Sequence, residues 1–382
     1  MFLETATGEY IIAGVARPGF PIILWENMQS CEEVNQFLRF YLLRGSIGST
    51  RSWTVIARAL YDYFGFLEAH GLNWRDVERG EQKNLVAAYR DYCYKECEFK
   101  RNTVRQRLVY VCEFYKYAVH KAWIDALPYA YELRRLVRSR GFLAHLNPSG
   151  AQIAVPAVMP KRHKGLVKFL SLEETRRLLH AADNVHHHAI ISTALRTGLR
   201  REELATFPLS YVFDPDSYSS QNLNIKITLD PEDGSGMRTK GSKARDIWVS
   251  TKLMRFLHRY ALHYRGERAT LTNDSRPELF LNQDGLPYSD HGKGIAAIVT
   301  AVGNRAGLHA FPHLLRHTYA THTLARLQHY NTSKGIEPLI FLQHQLGHDS
   351  LETTKMYLHI SNAVVDNAIL EYDHELDAES QW

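Results

Sequence analysis

Apolar residues return at helical spacing through most of this chain, and only two short segments alternate instead. Val55, Ala59, Tyr63, Phe66 and Leu67 mark one helix face between about Arg51 and His70, with Gly71 as its stop. Leu108, Val111, Phe114, Tyr115 and Ala118 mark another, opened by Asn102-Thr103. Ser30 with Glu33 three residues on predicts a capping box and a helix to about Leu43, and a further helix is expected from Glu81 to Glu96. After a Pro-rich interval, Ser171-Leu-Glu-Glu174 predicts the next capped helix, and a helix over 186–199 is expected to end at Gly198. The alternating segments are Leu223–Leu229 and Arg245–Ser250, which leaves Lys240-Gly241-Ser242 in the turn between them. The pattern then stays helical to Leu376. The expected fold class is mainly α with one small β-sheet.

A length of 382 residues suits two domains, and 45% hydrophobic with 23% charged residues describes an ordinary globular composition. The expected organisation is an N-terminal arm over 1–29, a helical domain over 30–130, a linker over 131–168 and a second domain over 169–382. The arm is broken by Gly14, Pro18, Gly19 and Pro21 and has no assigned function. No apolar run approaches the ~18 residues of a membrane span. Glu4 stands where a signal peptide would carry a base, so a cytoplasmic protein without membrane partners is expected. Cys31, Cys93, Cys97 and Cys112 have no zinc-site spacing and read as free thiols.

The formal charge of +5 matters less than where the charge lies. Between Leu133 and Leu172 there is no Asp or Glu, while Arg134, Arg138, Lys161, Arg162 and Lys164 are all basic. A connector that tracks a polyanion has this composition. Two helix starts, around Arg51 and around Arg101, Asn102 and Arg105, carry the residue types that meet phosphates and groove edges. They also suit ordinary solvated caps. The tail is opposite in sign, with Glu371, Asp373, Glu375, Asp377 and Glu379.

The chemistry concentrates between His313 and Tyr357, a stretch holding His313-Leu-Leu-Arg316-His317-Thr318 and Leu346-Gly347-His348. Arg binds phosphate oxygens through paired N–H donors, His moves protons near neutral pH, and a Tyr oxygen can attack phosphorus. The stretch contains no acidic cluster to hold a metal. His186-His187-His188 cannot converge on one ion, because adjacent helical side chains diverge by about 100°. His344-Gln-Leu-Gly-His348 has i, i+4 spacing but lacks the Glu of a zinc hydrolase. Arg200, with Glu203 three residues on, reads by itself first as a surface ion pair and second as a guanidinium held for a phosphate. Lys240 reads equally as a solvated hairpin tip or as a phosphate contact.

Taken together, Thr197-Gly-Leu-Arg200-x-x-Glu203-Leu, Lys240-Gly-x-Lys-x-Arg245, His313-x-Leu-Arg316-His-Thr-x-Ala-Thr321 and Leu346-Gly-His348 with Tyr357 nine residues on resemble the tyrosine recombinase (phage integrase) family in order and spacing. The resemblance covers about Phe169 to Ile360. It implies a helical core-binding domain followed by a mixed α/β catalytic domain, closing as a clamp on double-stranded DNA. It implies Tyr357 as nucleophile, Arg200 and Arg316 as phosphate clamps, His348 as a further donor and Lys240 as general acid. His313 would assist proton transfer at the Tyr oxygen, and Glu203 would orient Arg200. No cofactor and no metal are implied. The implied assembly is a homo-tetramer on two DNA sites, with a C-terminal helix over 364–376 docking on a neighbour or on its own domain. The implied activity is site-specific recombination, serving integration or excision of a mobile element. A relaxing topoisomerase or a non-catalytic DNA-binding regulator of the same fold is the alternative.

Overall fold

The computed structural model describes residues 1–45, 47, 50–79, 83–135, 152–162, 167–217, 223–272, 275–330 and 337–358. It divides into two units, Met1–Gly165 and Leu166–Trp382. Arg138, Lys164, the expected helix over 364–376 and the acidic tail lie outside the described residues, as does the side chain of Arg51.

The first unit opens with β1 (Phe2–Thr5), β2 (Ile11–Ile12), β3 (Val15–Ala16) and β4 (Pro21–Leu24), where β1 pairs antiparallel with β4 and β2 with β3. Helices α1 (Glu32–Leu43), α2 (Arg51–Ala69), α3 (Leu85–Lys95) and α4 (Arg101–His120) follow. Phe37, Phe64, Trp74 and Phe114 meet edge to face or tilted in the core. The phenols of Tyr63 and Tyr115 share a hydrogen bond of 2.7 Å, and Tyr115 donates onward to the Trp74 carbonyl at 3.0 Å, so the buried hydroxyls are satisfied. The N-terminal arm belongs to this core, because Phe20 and Ile23 are buried in it.

The capping box expected at Ser30 does not form. Cys31 is the N-cap, its N–H bound to the Ile23 carbonyl, and the Ser30 hydroxyl instead donates to Glu32 and accepts from Asn35. The stretch expected as a linker also differs. Strands β5 (Tyr131–Arg135) and β6 (Gln152–Pro156) pair antiparallel, and Val158 and Met159 are buried with the first unit's core. Arg134 donates to the Met159 carbonyl at 2.7 Å and Arg105 to the Pro160 carbonyl at 2.6 Å, which ties this stretch to α4.

The second unit begins with α5 (Leu172–His180), where the Ser171–Glu174 capping box forms as expected. Then come α6 (Val185–Thr197), α7 (Arg201–Ala205), β7 (Asn224–Leu229), β8 (Arg245–Ser250), α8 (Thr251–His263) and α9 (Arg265–Ala269). Helices α10 (Lys293–Arg305), α11 (Pro312–Tyr330), α12 (Pro338–Leu346) and α13 (Leu351–Thr354) lead to a 3-10 turn over Lys355–Tyr357. Strands β7 and β8 pair antiparallel from Asn224↔Ser250 to Leu229↔Arg245. Helix α6 is central, packed by α8, α10 and α11, and α12 bridges α11 to β8. Gln345 of α12 accepts from the Trp248 N–H at 2.8 Å and donates to the Trp248 carbonyl, extending β8 with a side chain in place of a strand. No described helix is long and apolar enough to cross a membrane.

Candidate active site

Two glycines bring the guanidiniums together. Helix α6 ends at Gly198 (φ 67°) and α12 at Gly347 (φ 63°), both in the left-handed region that terminates helices. A Cβ at Gly198 would lie 2.5 Å from a Tyr319 ring atom, and one at Gly347 would lie 2.6 Å from Arg245 Cδ. Helix ends leave carbonyls without intrahelical partners, and these carry the negative end of the helix dipole. Arg316, from α11, donates to the Gly198 carbonyl at 2.7 Å and to the Leu346 carbonyl at 2.6 Å. Arg200 donates to the Gly347 carbonyl at 2.7 Å. Residues 118 and 147 positions apart are thereby fixed by backbone that the glycine stops turn towards them.

Glu203 locks the second layer. Its carboxylate accepts from the Arg200 backbone N–H at 2.7 Å and side chain at 2.9 Å, and from Arg245 on both oxygens at 2.7 and 2.8 Å. Burial alone would raise its pKa, but the Arg245 hydrogen bonds and charge, with Arg200, bring it from 4.5 down to about 2. The sequence assigned Arg245 no role, although it stands in the Lys240 motif; its partner lies 42 positions away. Arg316 is pushed down to about 9 by burial and then by Arg200, and remains a cation at neutral pH. Three guanidiniums crowded around Glu203 repel one another, so an anion between Arg200 and Arg316 relieves the repulsion.

Tyr357 arrives on the 3-10 turn with its phenol buried in a small cluster formed with Ala320, Leu324, Leu342 and Leu346. Arg316, Glu203 and Tyr357 are each only 1% exposed. Burial raises the phenol pKa, while Arg316 and Arg200 pull it the other way. The Tyr357 hydroxyl lies 2.9 Å from His317 Nδ1. His313 does not make that contact: its ring stands 4.2 Å, centroid to centroid, from the ring of His317. His348 stacks at 7° on Tyr357, 6.4 Å away, and its Nδ1 shares a hydrogen bond of 2.9 Å with the Thr354 hydroxyl. Burial, then Arg316 and Arg200, press His348 down to about 3, so the ring is neutral. In the tautomer whose Nδ1 accepts from Thr354, Nε2 carries the hydrogen and is a donor.

Lys240 sits exposed on a 3-10 turn between β7 and β8. Its neighbour Lys243 pairs with Asp349 at 2.8 Å, next to His348, and Lys240 also acts on Asp349. The hairpin tip thus reaches the chain that carries His348. The other histidine motifs have ordinary partners: His186 is buried between the Tyr260 and Tyr288 hydroxyls at 2.6 and 2.8 Å, and His187 meets Asp183 at 3.0 Å. Among the described residues no group of His, Cys, Asp and Glu could hold a metal ion.

In the first unit, Arg101 and Arg105 lie one turn apart on α4, and Arg105 feels the charges of Arg162 and Arg134. Asn102 follows Arg101 in the first turn of the same helix, and Lys161 is exposed beside Arg162. Arg105, Arg134 and Arg162 therefore lie near one another as a basic cluster of this unit.

Residues 168–363 match the profile of the phage integrase family. The chain belongs to that family, the tyrosine recombinases. The "Tyrosine recombinase XerC" of Bacillus subtilis (strain 168) is 24% identical over 353 residues, covering 89% of this chain and 97% of that protein. The "Tyrosine recombinase XerA" of Pyrococcus horikoshii is 27% identical over 291 residues, covering 72% and 90%. Among solved structures, the XerH site-specific recombinase bound to palindromic difH substrate has a TM-score of 0.57 at 16% identity, covering 90% of this chain and 86% of that one. A lambda integrase dimer bound to a COC′ core site has a TM-score of 0.53 at 13% identity, covering 85% and 94%. These structures share the fold of this phage integrase family member: helix-rich, with small sheets.

Proposed function

We propose that this phage integrase family member is a site-specific DNA recombinase that cleaves and rejoins duplex DNA through a 3′-phosphotyrosyl link to Tyr357. The observation that carries the reading is the convergence of Arg200, Arg316, His348 and the Tyr357 phenol around backbone turned by Gly198 and Gly347. Tyr357 Oη attacks the phosphorus and the P–O5′ bond breaks, so the bond energy is kept in the protein–DNA link. A 5′-hydroxyl from the partner strand then reverses the step. Negative charge spreads over the phosphoryl oxygens in the transition state, and stabilising it is most of the catalytic task. Arg200 and Arg316 each spend two of five N–H donors on the protein, leaving the others for non-bridging oxygens. His348 donates from Nε2. Lys240 protonates the leaving O5′. His313 assists proton transfer at the tyrosine end, next to the imidazole that touches Oη. Glu203 orients Arg200.

The basic cluster of Arg105, Arg134 and Arg162 in the first unit, with Arg101, Asn102 and Lys161 near it in sequence, suits contact with the DNA backbone. The active assembly is a homo-tetramer on two sites, and the physiological event is integration or excision of a mobile element. The DNA flanking the gene supplies the sites. A plasmid carrying two copies of that DNA, incubated with the protein and a chelator, is expected to give exchanged products. Relaxation without exchange would favour a topoisomerase, and neither product would favour a DNA-binding regulator.

A further inference from the structure

The hydrogen bond at the nucleophile belongs to a residue that the reading above leaves without a role. We propose that His317 is a further catalytic residue, whose Nδ1 accepts the phenolic proton of Tyr357 as Oη attacks the phosphorus. The inference rests on the assignment of Tyr357 as nucleophile. Its basis is contact with the reacting atom: Nδ1 and Oη are 2.9 Å apart, within the range of a working proton acceptor. The two rings lie 5.7 Å apart, inclined at 58°. His317 follows Arg316 directly on α11, so the acceptor and a phosphate clamp are set by one rigid helix. The neighbouring His313 ring packs against the imidazole, 4.2 Å away and inclined at 65°.

Burial, followed by the charges of His313 and Arg316, holds His317 down to about 4, so the ring is neutral and one nitrogen has a free lone pair. When the hydrogen is on Nε2, that lone pair is on Nδ1, facing the phenol. An arriving phosphodiester brings negative charge beside Arg316 and raises the basicity of the imidazole. The step balances. The Oη–H bond breaks as Nδ1–H forms, Oη–P forms as P–O5′ breaks, and O5′ takes a proton from Lys240. On rejoining, Nδ1 returns its proton to Oη and the attacking 5′-hydroxyl returns one to Lys240.

The test separates the tyrosine oxygen from the rest of the site. Adduct formation on a nicked duplex is compared with ligation of a strand whose 3′-phosphate already carries p-nitrophenol. That ligation needs the assembled arginines but neither the Tyr357 oxygen nor a proton for the leaving group. His317→Ala is expected to slow adduct formation by about 100-fold or more. Its ligation of the p-nitrophenyl strand is expected to stay within about threefold of wild type, which also reports that the site is folded. An adduct rate within about threefold of wild type would overturn the proposal, as would an equal fall in both reactions, which marks a structural role. If the wild-type protein forms no adduct, the function assignment itself fails; if only His317→Ala is unaffected, the nucleophile stands and this role falls.

Discussion

Replacing Glu203 by Gln keeps the shape of the side chain and removes the charge that holds Arg200 and Arg245. The carboxyl sits at about 2 in the folded protein against 4.5 ordinarily. That difference corresponds to about 3 kcal/mol of stability at neutral pH. The figure agrees with the ~3–5 kcal/mol lost when a buried ion pair is left without one partner. The folded pKa is depressed, so the contribution is full above pH ~4.5 and disappears as pH falls towards 2. Urea unfolding of Glu203→Gln should therefore give a stability about 3 kcal/mol below wild type at pH 7, with the two curves converging in acid. Because Arg200 loses its anchor, DNA cleavage should fall by about 100-fold. Affinity for DNA in general should not fall, since a negative charge has been removed. A stability change under about 0.5 kcal/mol with cleavage within about threefold of wild type would refute the reasoning.

Gly198→Ala and Gly347→Ala each place a Cβ within 2.6 Å of a neighbour at a positive φ, and each should cost about 2 kcal/mol or more by urea unfolding; unchanged midpoints would contradict the packing described. His186, His317 and His348 are held at about 3, 4 and 3 against 6.5. The unfolded chain therefore binds more protons below pH ~6.5, and stability should be full above that pH and decline towards pH ~4; a urea midpoint at pH 5 equal to that at pH 7.5 would contradict this. Arg105→Ala and Arg162→Ala should each flatten the logarithmic salt dependence of DNA binding by about 0.9, measured by fluorescence anisotropy, and unchanged slopes would remove these residues from the interface.

Features written in local sequence were legible. The Ser171 capping box, the Gly198 stop and the two alternating segments around Lys240 depend on neighbours within a few positions, and they form where expected. Ser30 shows the limit of such reasoning: its hydroxyl is taken by Asn35 and Glu32, while Cys31 is pulled towards Ile23. The strands over 131–135 and 152–156 were illegible because most of their residues are exposed, so neither face shows apolar alternation. At the site, residue types and spacing pointed to a phosphate centre, but not to who touches whom. His317 meets Tyr357 across 40 positions and Arg245 meets Glu203 across 42, and neither contact has a periodic signature. Its residue type marks Arg105 for DNA contact, and nothing local in the sequence shows that one of its N–H groups is fixed to the Pro160 carbonyl.

The central claim is that the buried phenol of Tyr357 is the atom that joins protein to DNA. The direct measurement is the covalent adduct formed on a recombination-site duplex carrying a nick beside the cleavage position, digested and mapped by mass spectrometry. Wild-type protein should yield a nucleotide-bearing peptide modified at Tyr357 and a free 5′-hydroxyl, and Tyr357→Phe should yield no adduct. An adduct that persists in Tyr357→Phe, or maps to another residue, would contradict the account.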